Sequence, residues 1–134
     1  MHKIARNALG IIILEKETPI GLHIRKKRLE LQMNQEDVAK KLGVTESCIW
    51  LWENLEAKPQ IHYMPKIIAF LGYCPVEFDM SSIGNRIKSY RYVNGLSCDS
   101  LGLLLGVKGG AVSYWENGGI PKPKTLTKIQ SLIG

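Results

Sequence analysis

Residues 35–54 read QEDVAKKLGVTESCIWLWEN, and the fold turns on this stretch. Val38, Ala39 and Leu42 follow the i, i+1, i+4 spacing of one buried helical stripe. Asn34 stands before them as an N-cap candidate. Gly43 follows where a helix end wants a left-handed residue. Thr45 then offers a second N-cap. Residues 46–54 carry Ile49 and Trp52 on one face, about a turn apart. Ala39 is the small residue at which the first helix can cross the second closely. The stretch therefore predicts two short helices joined by a tight glycine turn.

Outward from it, Pro19 suits the first turn of a preceding helix, because its missing N–H is not needed there. That helix is expected over residues 20–31, with Ile24 and Leu31 inward, Leu22 and Arg28 on the flanks, and Lys26 and Lys27 in solvent. Residues 54–60 form a polar loop. A further helix is expected over residues 62–71, with Met64, Ile67, Ile68 and Leu71 at helical spacing and Gly72 as its stop. Residues 73–78 are expected to form a short extra helix.

Two helices around a glycine turn, the second able to lie in a DNA major groove, make the helix-turn-helix pattern. In residues 21–78 the chain resembles the phage-repressor/Cro-type (Xre-like) helix-turn-helix domain. The resemblance rests on Ile24 and Arg28, on NQEDVA at residues 34–39, LGV at 42–44, WEN at 52–54, and Pro59. No one of these residues is specific; their common register over some 40 residues is.

The pattern then returns. A shift of 63 carries Gly21 onto Gly84, Ile24 onto Ile87, Arg28 onto Arg91, Gly43-Val44 onto Gly106-Val107, and Trp52-Glu53-Asn54 onto Trp115-Glu116-Asn117. A shift of 62 carries Pro59 onto Pro121, Lys66-Ile67 onto Lys128-Ile129, and Gly72 onto Gly134. This reads as an internal duplication. The expected class is all-α: two tandem lambda-repressor-like helix-turn-helix helical bundles with a short β-prone N-terminal arm. The arm is residues 1–18, the first domain 19–78, the linker 79–83 and the second, divergent domain 84–134.

Composition bounds the function. The net charge is +6, and it is uneven: residues 1–83 carry 11 Lys+Arg against 10 Asp+Glu, residues 84–134 carry 7 against 2. A basic balance suits a polyanionic partner. Cys48, Cys74 and Cys98, with no CxxC, make neither a disulfide framework nor a zinc knuckle. Cys48 reads as a small core residue, and a reducing compartment fits all three. His2, His23 and His62 stand in no recurring catalytic spacing, and no phosphate loop or metal motif is present, so no enzyme and no cofactor is expected. No apolar run approaches the length of a membrane span. Residues 8–14, ALGIIIL, mimic a short secretory signal, but Glu15-Lys16-Glu17 follows at once, with no small-residue cleavage site. We read the run as a β-prone strand needing a partner, either the flank of its own domain or the same arm of a second chain.

The resemblance implies that Arg28–Glu53 and Arg91–Glu116, each 25 residues apart, are structural ion pairs tying the first helix to the recognition helix. It implies double-stranded DNA as partner. Asn34 and Gln35 would grip backbone phosphate, with Lys40, Lys41 and Lys58 adding charge. Thr45, Glu46, Ser47 and Leu51 fall at base-contacting positions, with Trp50 at their edge; Glu46 can accept from a cytosine amino group and Leu51 can touch a thymine methyl. A Trp beside a Leu is also a face that protein could cover. In the second copy Cys98 replaces Gln35, Gly102 replaces Ala39, and Gly109 and Gly110 replace Glu46 and Ser47. Ser97, Lys108, Ser113 and Tyr114 remain toward the groove. This copy is expected to grip backbone with little discrimination, or to serve in packing or dimerisation. The expectation is a sequence-specific transcriptional repressor, bacterial or phage, cytoplasmic and nucleoid-associated, acting as a homodimer in which the second chain supplies the second half-site. The alternative is a protein-interaction or dimerisation module on the same fold.

Overall fold

The computed structural model describes residues 4–6, 12–14 and 18–134, with backbone alone at the first two segments. Strands β1 (Ile4–Arg6) and β2 (Ile12–Leu14) pair antiparallel, Ala5 opposite Ile13. β2 thus pairs with β1 of the same segment. Residues 8–11 of the apolar run, and Glu15-Lys16-Glu17, lie outside the described residues.

Eight α-helices follow among the described residues, in two compact units, Met1–Glu77 and Phe78–Gly134. The first unit holds α1 (Ile20–Glu30), α2 (Gln35–Leu42), α3 (Glu46–Asn54), a 3-10 turn at Ile61–Tyr63, and α4 (Met64–Leu71). Its ends follow local chemistry. Asn34 and Asp37 cap α2 reciprocally: Asp37 N–H donates to Asn34 Oδ1 at 2.8 Å and Asn34 N–H to Asp37 Oδ2 at 3.1 Å. Gly43 ends α2 at φ 69°, a left-handed conformation that costs a Cβ-bearing residue energy. Thr45 Oγ1 accepts from Cys48 N–H and opens α3.

The apolar stripes then meet. Ile24, Val38, Leu42, Ile49, Met64 and Ile67 are at most 1% exposed, and each such side chain contributes about 1.5–3 kcal/mol on burial. Trp52 packs beside Tyr63, ring centroids 5.8 Å apart. At Gly21 the helices come closer than a side chain allows: a Cβ there would lie 1.8 Å from the Trp52 carbonyl oxygen.

Several local expectations are corrected. Leu31 is 48% exposed, because α1 ends at Glu30 and Gln32 turns the chain at φ 55°, so the seventh residue after Ile24 leaves the stripe. Pro19 is the N-cap of α1 rather than its first residue, while buried His23 joins the inward face. Lys26 and Lys27 are half-buried, and Lys26 pairs with Glu30 at 3.0 Å. Cys48 is half-buried rather than core. Residues 62–63 belong to the 3-10 turn, with Pro65 in the first turn of α4. Residues 73–78 form bends and irregular backbone, not a helix: Gly72 ends α4 in a left-handed conformation, and Pro75 removes a donor and disfavours helical backbone at Cys74.

The second unit holds α5 (Ile83–Asn94), α6 (Cys98–Leu105), α7 (Gly109–Glu116) and α8 (Pro123–Ile133). Ile87, Leu101, Leu105, Val112, Trp115 and Ile129 form its core. Phe78 packs edge-on against Tyr92 of α5, centroids 5.4 Å apart. A Cβ at Gly84 would lie 2.5 Å from the Trp115 carbonyl oxygen, a second close crossing. Among the described residues no helix is long and apolar enough to cross a membrane.

Candidate nucleic-acid interface

α3 divides cleanly. Ile49, Trp52 and Glu53 are buried, while Glu46, Ser47, Trp50, Leu51 and Asn54 are exposed. Trp50 is 47% and Leu51 40% exposed, side by side on the outer face of the helix.

The buried carboxylate anchors this helix. Arg28 Nε donates to Glu53 Oε2 at 3.0 Å and Nη2 to Glu53 Oε1 at 2.8 Å, a two-pronged contact that a guanidinium fits and an ammonium does not. Arg28 Nη1 also donates to the Met33 carbonyl at 3.2 Å, so the pair fixes the α1–α2 turn as well. Gln35 Nε2 donates to Glu53 Oε1 at 3.4 Å. The Gln35 amide is therefore oriented from within, with its second N–H left for a partner outside.

The remaining sequence candidates fall into two groups. The side chains of Asn34 and Thr45 serve their own helix caps, so what they offer an anion is the positive end of a helix rather than a side chain. Lys58 lies exposed in the loop after α3. Asn54, just beyond the candidate positions, turns its Nδ2 onto the Trp50 carbonyl at 3.0 Å.

In the second unit Arg91 Nη2 donates to Glu116 Oε1 at 2.7 Å and Arg91 Nη1 to the Leu96 carbonyl at 3.1 Å. Ser97 caps α6 by accepting from Ser100 N–H at 3.0 Å. Burial pushes the Cys98 thiol above its ordinary value, which keeps it protonated. Lys108, Ser113 and Tyr114 are exposed. The Tyr114 ring lies over Gly119, where a Cβ would meet it at 2.3 Å. Sequence reading missed Asp99: a Cβ at Gly109 would sit 2.0 Å from Asp99 Oδ1, so a carboxylate crowds the start of α7. Its counterpart in the first unit is Glu36, but only the tertiary contact shows which acid closes on the next helix. Sequence reading also missed Leu103 and Leu104, 84% and 59% exposed, which stand on α6 where α2 has Lys40 and Lys41.

Among the described residues no group of three or more His, Cys, Asp or Glu side chains is placed to hold a metal ion. The arrangement offers a helix presented on one face, a rigid buried brace behind it, and two helix N-termini beside it.

This is the constitution of a helix-turn-helix domain, and the helix-turn-helix family model matches residues 24–78. These residues are similar to the Xre/Cro/C1-type helix-turn-helix domain found in DNA-binding regulators. No curated protein and no solved structure matches the chain.

Proposed function

We propose that the chain is a sequence-specific DNA-binding transcriptional regulator, a repressor that occludes its site, with the first unit as reader. The carrying observation is α3: it follows a capped glycine turn, is pinned by the buried Arg28–Glu53 pair, and turns Glu46, Ser47, Trp50 and Leu51 outward. Gln35, the N-termini of α2 and α3, and Lys58 supply the backbone grip. Such a regulator works beside DNA, in a bacterial or phage-infected cytoplasm.

The second unit is, on this reading, a divergent duplicate. In its favour stand the matching Arg–Glu pairs, the glycine crossings at Gly21 and Gly84, and an Asn that folds back onto the residue four earlier in both Asn54 and Asn117. Its α7 begins with Gly109 and Gly110, which present no side chain to a base, and Asp99 crowds its start. It therefore contributes charge through Lys108 and its basic neighbours rather than base reading. A second chain, in a homodimer, supplies the other half-site.

Selection of binding sequences from a random duplex pool tests the reading. Enrichment of a defined site, lost with Glu46→Ala or shifted by it, is the expected result. The second reading, a protein-interaction module, is favoured by exposed Leu103 and Leu104; it predicts no enriched site and an association broken by Leu103→Lys with Leu104→Lys.

A further inference from the structure

We infer that α3 selects DNA by thymine methyl groups and base amino groups, and disfavours guanine edges. The inference rests on the regulator reading above and goes on to the chemistry of its target.

The exposed face of α3 has an unusual inventory. It carries no Lys, Arg, Gln or His. Asn54 commits one N–H to the Trp50 carbonyl, and the Thr45 hydroxyl is held by Cys48 through both its oxygen and its hydrogen. Ser47 is the one hydroxyl on the exposed face of the helix. Guanine shows two acceptors, N7 and O6, to the major groove, and these are read by paired donors. Here they would meet the Glu46 carboxylate, itself an acceptor and negatively charged. That contact is repulsive, whereas the amino group of cytosine or adenine donates to the same oxygen.

The other half of the face is largely apolar, its donors being the single indole N–H of Trp50 and the second N–H of Asn54, with no paired fork of the kind a guanidinium offers. Trp50 and Leu51 expose nearly half their surfaces on a helix whose Ile49 and Trp52 are fully engaged in the core. The major groove offers one apolar group, the C5 methyl of thymine. Glu46 and Trp50, and likewise Ser47 and Leu51, are four residues apart and share a side of the helix. Four residues advance about 6 Å along the axis, the span of about two base-pair steps. The half-site thus pairs an amino-bearing base with thymines about two steps away.

Base analogues test this in the full chain. From the selected site, each thymine is replaced singly by deoxyuridine, which removes only the methyl, and each guanine by 7-deazaguanine, which removes only N7. Loss of about fourfold in affinity at one or more thymines is expected, the value of about 0.8 kcal/mol per buried carbon. Leu51→Ala, at an exposed position and therefore expected to leave the circular dichroism unchanged, should erase the thymine–uracil difference while binding, weakened at those thymines, persists. Deazaguanine should be silent in the half-site under α3. A site bound equally well with uracil throughout, or weakened by deazaguanine, overturns this inference and leaves the regulator reading standing. Leu51→Ala that keeps thymine discrimination but abolishes self-association also overturns it, assigning the face to protein. No enriched sequence at all overturns the regulator reading and this one with it.

Discussion

Glu53 is 4% exposed, and such a carboxylate is tolerable only because Arg28 and Gln35 satisfy it. Arg28→Ala should therefore destabilise the first unit by about 3–5 kcal/mol, read by urea denaturation, since the carboxylate would be left buried and unpaired. Arg28→Lys should recover only part, for want of the fork. Gln35 belongs to the same cluster and to the backbone grip; Gln35→Ala should weaken all DNA sequences alike, and a loss confined to one base pair would make it a reader instead. His23 carries a pH dependence. Its Nδ1 lies 2.8 Å from the Tyr73 hydroxyl, and burial, with Lys26 nearby, holds the imidazole below its usual 6.5. The unfolded chain then binds the proton more readily than the folded one, so stability is full above about pH 6.5 and falls as pH drops below it. Thermal melts from pH 8 to 5 should show the decline, and His23→Gln, which keeps an acceptor toward Tyr73, should flatten it.

At the scale of elements, helix crossings set the geometry. Gly21→Ala would drive a methyl to 1.8 Å from a backbone carbonyl, which α1 and α3 can relieve only by separating and uncovering Ile24 and Ile49. We expect loss of the cooperative transition of the first unit in calorimetry. Gly110 is the opposite case: it lies in α7 at ordinary φ, and a Cβ there meets nothing within 4 Å. Gly110→Ala should raise the stability of the second unit by about 0.5–1 kcal/mol, by restricting the unfolded chain and favouring helix. An unchanged or lowered melting temperature would show that the absent side chain serves something other than the fold.

At the scale of the molecule, charge and connection matter most. The excess of positive charge in residues 84–134 leads us to expect that Lys108→Ala lowers affinity and flattens the salt dependence by about one unit of slope, without altering sequence preference. Fully extended, the 11 residues from Gly72 to Ser82 would span at most about 36–40 Å, but bends and turns within them, and the packing of Phe78 on Tyr92 inside the second unit, leave less chain than that to extend. Footprinting at protein concentrations below and above dimer formation decides: one protected half-site per monomer is expected, and two would remove the need for a second chain.

The sequence by itself determined the first domain's existence, its turn and its caps. Asn34, Gly43 and Thr45 act through bonds to residues at most four away, and the spacing of Val38, Leu42, Ile49 and Trp52 declares a shared interior. Tertiary structure decided the rest, because it depends on residues distant in sequence meeting. Leu31 left the core when Gln32 turned the chain. His23 gained a hydroxyl 50 residues away, and Gln35 gave one N–H to Glu53 before any nucleic acid arrived. Asp99 closed on Gly109. Trp50 and Leu51 fall outward by the same spacing that puts Ile49 and Trp52 inside; packing decided how much of each stays exposed, 47% and 40%, because that depends on which distant residues reach over the helix.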